Sequence, residues 1–439
     1  MSAPQEAVFR PRRVLAVDLD TGRVEYPDPD RPAEHLLARV LVRWLGQPIG
    51  VVEVEGDDRA VVKAATEEAW QRFRSELGAV AEVRGVPAPA APEDLATAGA
   101  GARPALPPEP RPLVTVTIAS FRSTDSTIAT TRRVLAGSWT PLEVVVVDND
   151  ADGGPLDAAF TAAFGGDPRV RWVHEPRQGL SFARNAGLAA ARGGYVVFTD
   201  DDVLVDEHWV ARLVEAFGAV PHAACVTGAI LPAEQETRAQ LWLEEYGGFH
   251  KGFRRQVFDL TTHRRDTALY PYDAGQFGSG ANMAFRTDVL RAMGGFAVDL
   301  GAGTPAHGGE DIDVLRRVVS AGHAVVYEPA ALMWHRHRRS MAALRRQMFR
   351  YGVGLSATVA KWLSEDRAVA ADVVRRLPAG ARHVLSPTSR KNQNKSATFP
   401  PVLTRLERLG LLCGPVAYAR SRRRARRLLA TAPAPGTGG

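Results

Sequence analysis

Between residues 113 and 200 the apolar positions fall in short unbroken runs. Leu113–Ala119 and Leu142–Val147 are rich in β-branched residues, and Tyr195-Val196-Val197-Phe198-Thr199 is a third such run. Runs of this length predict strands covered on both faces. Ser126–Ala136 and Phe182–Arg192 carry helical spacing between them, the second closed by Gly193-Gly194, and Val170–His174 predicts another strand. Strands alternating with helices predict a doubly wound, mostly parallel α/β sheet.

The flanks differ from this centre. Residues 1–85 predict a small α/β accessory domain, with strands at Val14–Val17 and Val51–Val54 and amphipathic helices at Glu34–Leu45 and Ala60–Leu77. Residues 86–112 are rich in Pro and Ala and predict a semi-extended linker. The central pattern continues to about residue 340, with a helix from Glu310 to Ser320 and a short strand at Val325–Tyr327. Residues 341–439 predict a helical C-terminal region, with helices over 341–363 and 402–429 and a loose polar stretch at Ser386–Ser396.

Composition narrows the class. Hydrophobic residues make up 45% and charged residues 24% of the 439, as in a folded globular chain. No apolar run reaches the ~18 residues of a membrane-spanning helix. Met1–Arg10 has no apolar signal core, so a cytoplasmic location is expected. Two cysteines, Cys225 and Cys413, argue against a disulfide framework or a cysteine-based zinc site. The net charge of +6 is unevenly spread: residues 335–439 hold 22 Lys and Arg against 4 Asp and Glu. Six arginines in Arg420–Arg427, with Leu406, Leu409, Leu411, Leu412, Val416 and Tyr418 upstream, predict either a basic amphipathic stretch suited to an anionic membrane surface or a solvated charge run.

The chemistry gathers at strand ends. One apolar run stops in Asp200-Asp201-Asp202 and another in Asp148-Asn149-Asp150. Carboxylates at the carboxyl ends of such strands sit where an open α/β sheet binds ligands, and they suit Mg²⁺ or Mn²⁺ with a phosphate. Asp206 reads as the cap of the helix that follows. Gly278-Ser279-Gly280-Ala281-Asn282 allows close backbone approach to a ligand. His335-Arg336-His337-Arg338-Arg339 is too polar for a core, and Arg338 or Arg339 suits a diphosphate. Trp242 and Tyr246 are candidates for stacking on a ligand, with a place in the core as the alternative for Trp242.

Taken in order, these segments resemble the inverting glycosyltransferases of family 2, with the GT-A fold. The resemblance rests on Val116–Arg122, Val145–Asn149, Gly179–Gly187 with its Arg184-Asn185 pair, Phe198–Asp202 and Gly309-Glu310-Asp311, over about residues 113–355. It implies a nucleotide-sugar donor of the UDP, dTDP or GDP type held by Ala119, Ser120, Phe121, Arg122, Asp148, Asn149, Arg184, Asp200 and Asp201. It implies a metal held by Asp200, Asp202 and His335, and Asp311 as general base, with Glu310 and Asp313 as alternatives. Gly280, Ala281, Asn282 and Trp242 would then meet a hydroxyl acceptor. Ala119 stands where the family often has proline, and Arg122 where it often has asparagine, which leaves the nucleotide open.

Two other classes compete. A sugar-phosphate nucleotidyltransferase needs a glycine-rich basic loop after its first strand, and Ala119-Ser120-Phe121-Arg122-Ser123-Thr124 has no glycine. A non-catalytic binding protein would not need the full acid set, and no nucleic-acid partner is expected.

Overall fold

The computed structural model describes residues 9–28, 35–97, 107, 109–153, 156–389 and 391–431. The N-terminal unit is a four-stranded sheet in the order β2-β1-β3-β4, from β1 (Arg13–Asp18), β2 (Val24–Glu25), β3 (Leu37–Trp44) and β4 (Gln47–Glu55), backed by α1 (Asp58–Arg72) and α2 (Arg74–Arg84). The helix expected at Glu34–Leu45 is instead the strand β3, paired on both edges with β1 and β4. Its Ala38, Val40, Val42 and Trp44 are all buried, the period of a strand. The helix expected over Ala60–Leu77 is interrupted at Phe73. Part of the 86–112 stretch packs down: Leu95 is buried and its carbonyl accepts from Trp44 Nε1 at 3.0 Å. Residues 98–106 lie outside the described residues.

The large sheet is built from β5 (Val114–Ser120), α3 (Thr124–Leu135), β6 (Leu142–Asp148), α4 (Leu156–Phe164), β7 (Val170–His174), α5 (Leu180–Ala190), β8 (Tyr195–Asp200), β9 (Val203–Val205), α6 (Trp209–Ala219), β10 (Ala223–Pro232), α7 (Arg238–Tyr246), β11 (Gln256–Phe258), β12 (Met283–Arg286), α8 (Thr287–Ala292), α9 (Glu310–Ser320) and β13 (Ala324–His335). Its order is β11-β13-β10-β12-β8-β5-β6-β7, with β9 beside β13. The chain runs outward through β5, β6 and β7, then returns to place β8 on the other side of β5. The sheet therefore reverses between β5 and β8, where such sheets bind ligands. The short strand expected at Val325–Tyr327 is a twelve-residue strand, β13. It runs through Glu328-Pro329, accommodated by a register shift against β10. This is the mostly parallel α/β arrangement expected, with a small N-terminal α/β unit and a helical C-terminal region.

That region is α10 (Met341–Leu363), α11 (Arg367–Leu385) and α12 (Pro401–Ala430). Helices α10 and α12 approach through glycines. A Cβ on Gly352 would lie 2.0 Å from the Glu407 carbonyl oxygen, and one on Gly410 2.1 Å from that of Phe349. Helix α10 also grips α9. Gly309, at φ +90°, faces Thr358 so closely that a Cβ would fall 1.8 Å from its Oγ1. The N-terminal unit docks through Arg43, buried among Asp18 at 2.8 Å, Glu25 at 2.6 Å and Asp206 at 2.9 Å. Asp206 also accepts the His208 N–H ahead of α6.

Asp313 in α9 is fully buried and locks α10 in place. It accepts from Trp362 Nε1 at 2.9 Å and pairs with Lys361 at 3.1 Å and Arg317 at 3.0 Å. Burial opposes its charge, but Lys361, Arg317 and Arg316 outweigh this and hold the carboxyl below its ordinary value of 3.8. A depressed folded-state value means stability that is complete above the unfolded value and lost as pH falls through the folded one. Asp313→Asn should cost about 3–5 kcal/mol at pH 7 by breaking a buried charge set. Urea unfolding should show that gap narrowing only below about pH 4.

Candidate active site

Register brings the acids together. Asp200 ends β8 opposite Ala119 of β5, and Asp148 ends β6 opposite Ser120. Val203 of β9 pairs with His335 at the end of β13, so Asp202 emerges beside that ring, with Asp202 Oδ1 3.3 Å from His335 Nε2. Asp200, Asp202 and His335 offer three ligand atoms within 4.8 Å of one another. The donor set of two carboxylates and an imidazole fits Mn²⁺ and is tolerable for Mg²⁺. His335 Nδ1 is buried with no hydrogen-bond partner, so Nε2 is the nitrogen turned to the carboxylates.

The acids of α9 meet this trio through Arg184 in α5. The guanidinium is 3% exposed, lies 2.8 Å from Glu310 Oε1 and 3.5 Å from Asp200 Oδ1, and donates to the Gly280 carbonyl at 2.9 Å. The Gly280 N–H in turn donates to Asp311 Oδ2 at 3.0 Å, and the Ile312 N–H to Asp311 Oδ1 at 2.8 Å. A Cβ on Gly280 would sit 3.1 Å from both the Arg184 Nη2 and the Asp311 Cβ, so a larger residue would press on this joint.

The fields follow from the crowding. Burial raises the Asp200 carboxyl above its ordinary range; Arg184 opposes this, while Asp202 and Asp311 add to it. Burial and the neighbouring Asp202 and Asp200 push Asp201 up to about 7, against hydrogen bonds from Ser123 and the Phe121 backbone. Burial works against ionising Asp202, yet His335 outweighs it and holds that carboxyl low. Burial and Asp311 raise Glu310 to about 7, opposed by Arg184. Arg338 is exposed, and its charge reaches both Asp202 and His335.

Several of the residues expected to meet a ligand have partners within the fold. Asn282 is fully buried; its amide donates to the Ala229 and Ala331 carbonyls and accepts from Trp209 Nε1. Ala281 is buried in the core beside it. Asn149 donates to the Glu175 and Arg177 carbonyls and accepts from the Gly179 N–H, which shapes the turn before α5. Asp148 is buried, with Oδ1 accepting from the Asp150 N–H. Ser120 is buried and its hydroxyl meets Thr127. Trp242 packs in a cluster with Leu344, Met348 and Phe399, and the Tyr246 hydroxyl donates to Glu407. Arg339 pairs with Glu234 and Glu236. Arg122 stays at the rim, at φ +56°, bound to Asp150 at 2.8 Å and over the exposed Phe121 ring. Motif order alone does not show which way a side chain turns.

Two residues of the cleft carry no motif. Burial lowers Lys251 to about 8, with Asp311 and Glu244 opposing. Tyr351 of α10 is raised to about 12 by burial, and the charges of Asp311 and Asp200 reach it. Lys251 lies in an irregular stretch and Tyr351 in a long helix, so neither stood out by pattern.

Arg184→Met would leave Glu310 buried without its cation, at an expected cost of about 3–5 kcal/mol. Adding Glu310→Gln should recover part of that loss in a double-mutant cycle read by urea unfolding. Simple additivity of the two changes would show that the pair is not coupled.

A family model described as glycosyltransferase-like family 2 matches residues 110–354. The pre-mycofactocin glycosyltransferase of Mycobacterium tuberculosis is 29% identical over 210 residues, which cover 48% of this chain and 40% of that protein. The succinoglycan biosynthesis protein ExoM of Rhizobium meliloti is 29% identical over 237 residues, covering 51% of this chain and 69% of that protein. The chain thus spans less than half the length of the mycobacterial relative. A solved mannosyltransferase from Pyrobaculum calidifontis, in complex with GDP-Man and Mn²⁺, superposes with a TM-score of 0.43 at 20% identity, over 75% of this chain and 79% of that one. With the family match running across more than half of the sequence and over every acid of the cleft, the chain belongs to glycosyltransferase family 2.

Proposed function

We propose that this chain transfers a sugar, with inversion, from a nucleoside-diphosphate sugar to an acceptor hydroxyl. The observation that carries the reading is the Arg184 bridge, which ties Asp200 to Glu310 and, through Gly280, to Asp311. The acceptor oxygen attacks the anomeric carbon as the bond to the diphosphate breaks, and the electron pair leaves on the diphosphate. Asp311 takes the hydroxyl proton from the face opposite the leaving group. Its two oxygens already accept backbone N–H bonds, which fix the carboxylate while leaving further lone pairs for the acceptor. Glu310 and Arg184 position it. Arg338 supports the diphosphate at the mouth, and Lys251 meets the acceptor next to Asp311. Asp200, Asp202 and His335 would hold Mg²⁺ or Mn²⁺, whose charge offsets that of the departing diphosphate.

The acceptor is lipid-linked in this reading, and the surface of α12 supports it. Of the apolar residues expected there, Tyr418 is buried and Leu406 packs inward, while Leu409, Leu412 and Val416 stay exposed, Leu412 at 78%. Arg420, Arg422, Arg423, Arg426 and Arg427 are exposed on the next turns. Among the described residues no helix is long and apolar enough to cross a membrane. An exposed apolar row followed by arginines suits the interface of an anionic bilayer.

A thermal-shift panel of UDP, dTDP and GDP with Mn²⁺ should single out one nucleotide, because ligand bound only to the folded state raises its stability. Asp311→Asn should then lower kcat by about 10²–10⁴-fold with donor affinity kept. Near wild-type turnover would remove Asp311 as base, and pyrophosphate release from a nucleoside triphosphate would move the chain to nucleotidyl transfer. Separately, the full chain should co-sediment with phosphatidylglycerol vesicles at low salt and not with phosphatidylcholine vesicles. Leu412→Asp should abolish that binding; equal sedimentation with both vesicle types would contradict the surface assignment.

A further inference from the structure

At the far end of β13 from His335, three other side chains converge. His222 immediately precedes β10, and its carbonyl accepts from the Ala324 N–H at the start of β13. Asp259 immediately follows β11, whose last residue, Phe258, pairs with Val325. Both therefore reach the amino end of β13 from neighbouring strands, and His263 comes back to them one turn after Asp259.

The carboxylate is built in rather than draped on the surface. Asp259 is 2% exposed. Its Oδ1 accepts from the Thr261 N–H at 2.8 Å, the His263 N–H at 2.8 Å and Thr261 Oγ1 at 3.3 Å. That leaves Oδ2 aimed at two ring nitrogens, His263 Nδ1 at 2.8 Å and His222 Nε2 at 3.3 Å. The ligand atoms of all three residues lie within 4.8 Å of one another. The histidine side chains are 45% and 51% exposed, so one side of the group is open to water.

We propose that His222, Asp259 and His263 form a second metal site, separate from the catalytic cleft, that takes Zn²⁺. Two imidazoles and one carboxylate with an open fourth position are a zinc ligand set, and imidazole disfavours Mg²⁺ or Ca²⁺ here. The three donors on Oδ1 do what an outer shell does for a metal ligand, fixing the orientation of the oxygen that binds. A deeply buried carboxylate whose ion partners are two neutral-capable rings gains a full countercharge when the ion is present. The site would also pin the segment that leads to the Gly280 joint. The Tyr270 hydroxyl donates to the Asp259 carbonyl at 2.5 Å, and the Tyr270 ring packs on Phe277, three residues before Gly280.

The test uses the full chain carrying Asp202→Ala, which takes one ligand from the catalytic set. Zn²⁺ is titrated against a chromophoric chelator. One equivalent should bind, and adding His222→Ala or His263→Ala should each weaken it by at least about 10-fold. His222 is half exposed, so its replacement leaves the fold intact as checked by circular dichroism. A Co²⁺ titration gives an independent reading, with ligand-field absorption that each histidine substitution abolishes. Absence of a bound equivalent, or one that both histidine variants retain unchanged, overturns the proposal.

Discussion

One buried cation holds the catalytic half of this protein together. Arg184 sits where charge is costly, and it is tolerated because Glu310, Asp200 and the Gly280 carbonyl surround it. Each of those partners belongs to a different part of the chain: a helix start, a strand end and a glycine loop. Satisfying one guanidinium therefore forces three segments into register, and with them Asp311 and the Asp202–His335 pair. The raised values of Asp200 and Glu310 follow from burial first, and then from neighbouring carboxylates that Arg184 only partly offsets.

The flanking regions act on this site through its supports. Helix α10 presses against Gly309 and grips Asp313, so the α9 helix that carries Glu310 and Asp311 is clamped from behind. Helix α12 closes on α10 through glycines, with Leu409, Leu412 and most of its terminal arginines directed outward. On the other side Arg43 ties the N-terminal sheet to Asp206, six residues beyond the end of β8. The flanking regions thus fix the positions of the residues that line the cleft.

Much of the central sheet was legible because fully buried parallel strands leave a plain mark, an unbroken apolar run ending in polar residues. The acids at the ends of β6 and β8 stood out for that reason. The strand β3 did not, because Leu37-Ala38-Arg39-Val40-Leu41-Val42-Arg43-Trp44 satisfies two periods at once. Arg39 and Arg43 are four apart, as on a helix face, while Val40, Val42 and Trp44 alternate as on a strand. Pairing with β1 and β4 settled it. Motif order did not show how the Asn149 and Asn282 amides turn, and both donate to backbone carbonyls. Lys251 gave no signal, since only the folded loop brings it near Asp311.

In the proposed reaction, acids from two strand ends and one helix start enclose a single ion and one diphosphate. Crystals of the full chain soaked with Mn²⁺ and the nucleoside diphosphate it binds, recorded at the manganese edge, test it most directly. An anomalous peak is expected at bonding distance from Asp202 and His335, with the diphosphate on that ion and Asp311 lining the same cleft. A manganese peak bonded elsewhere, or a diphosphate in a cavity that Asp311 does not face, would contradict it.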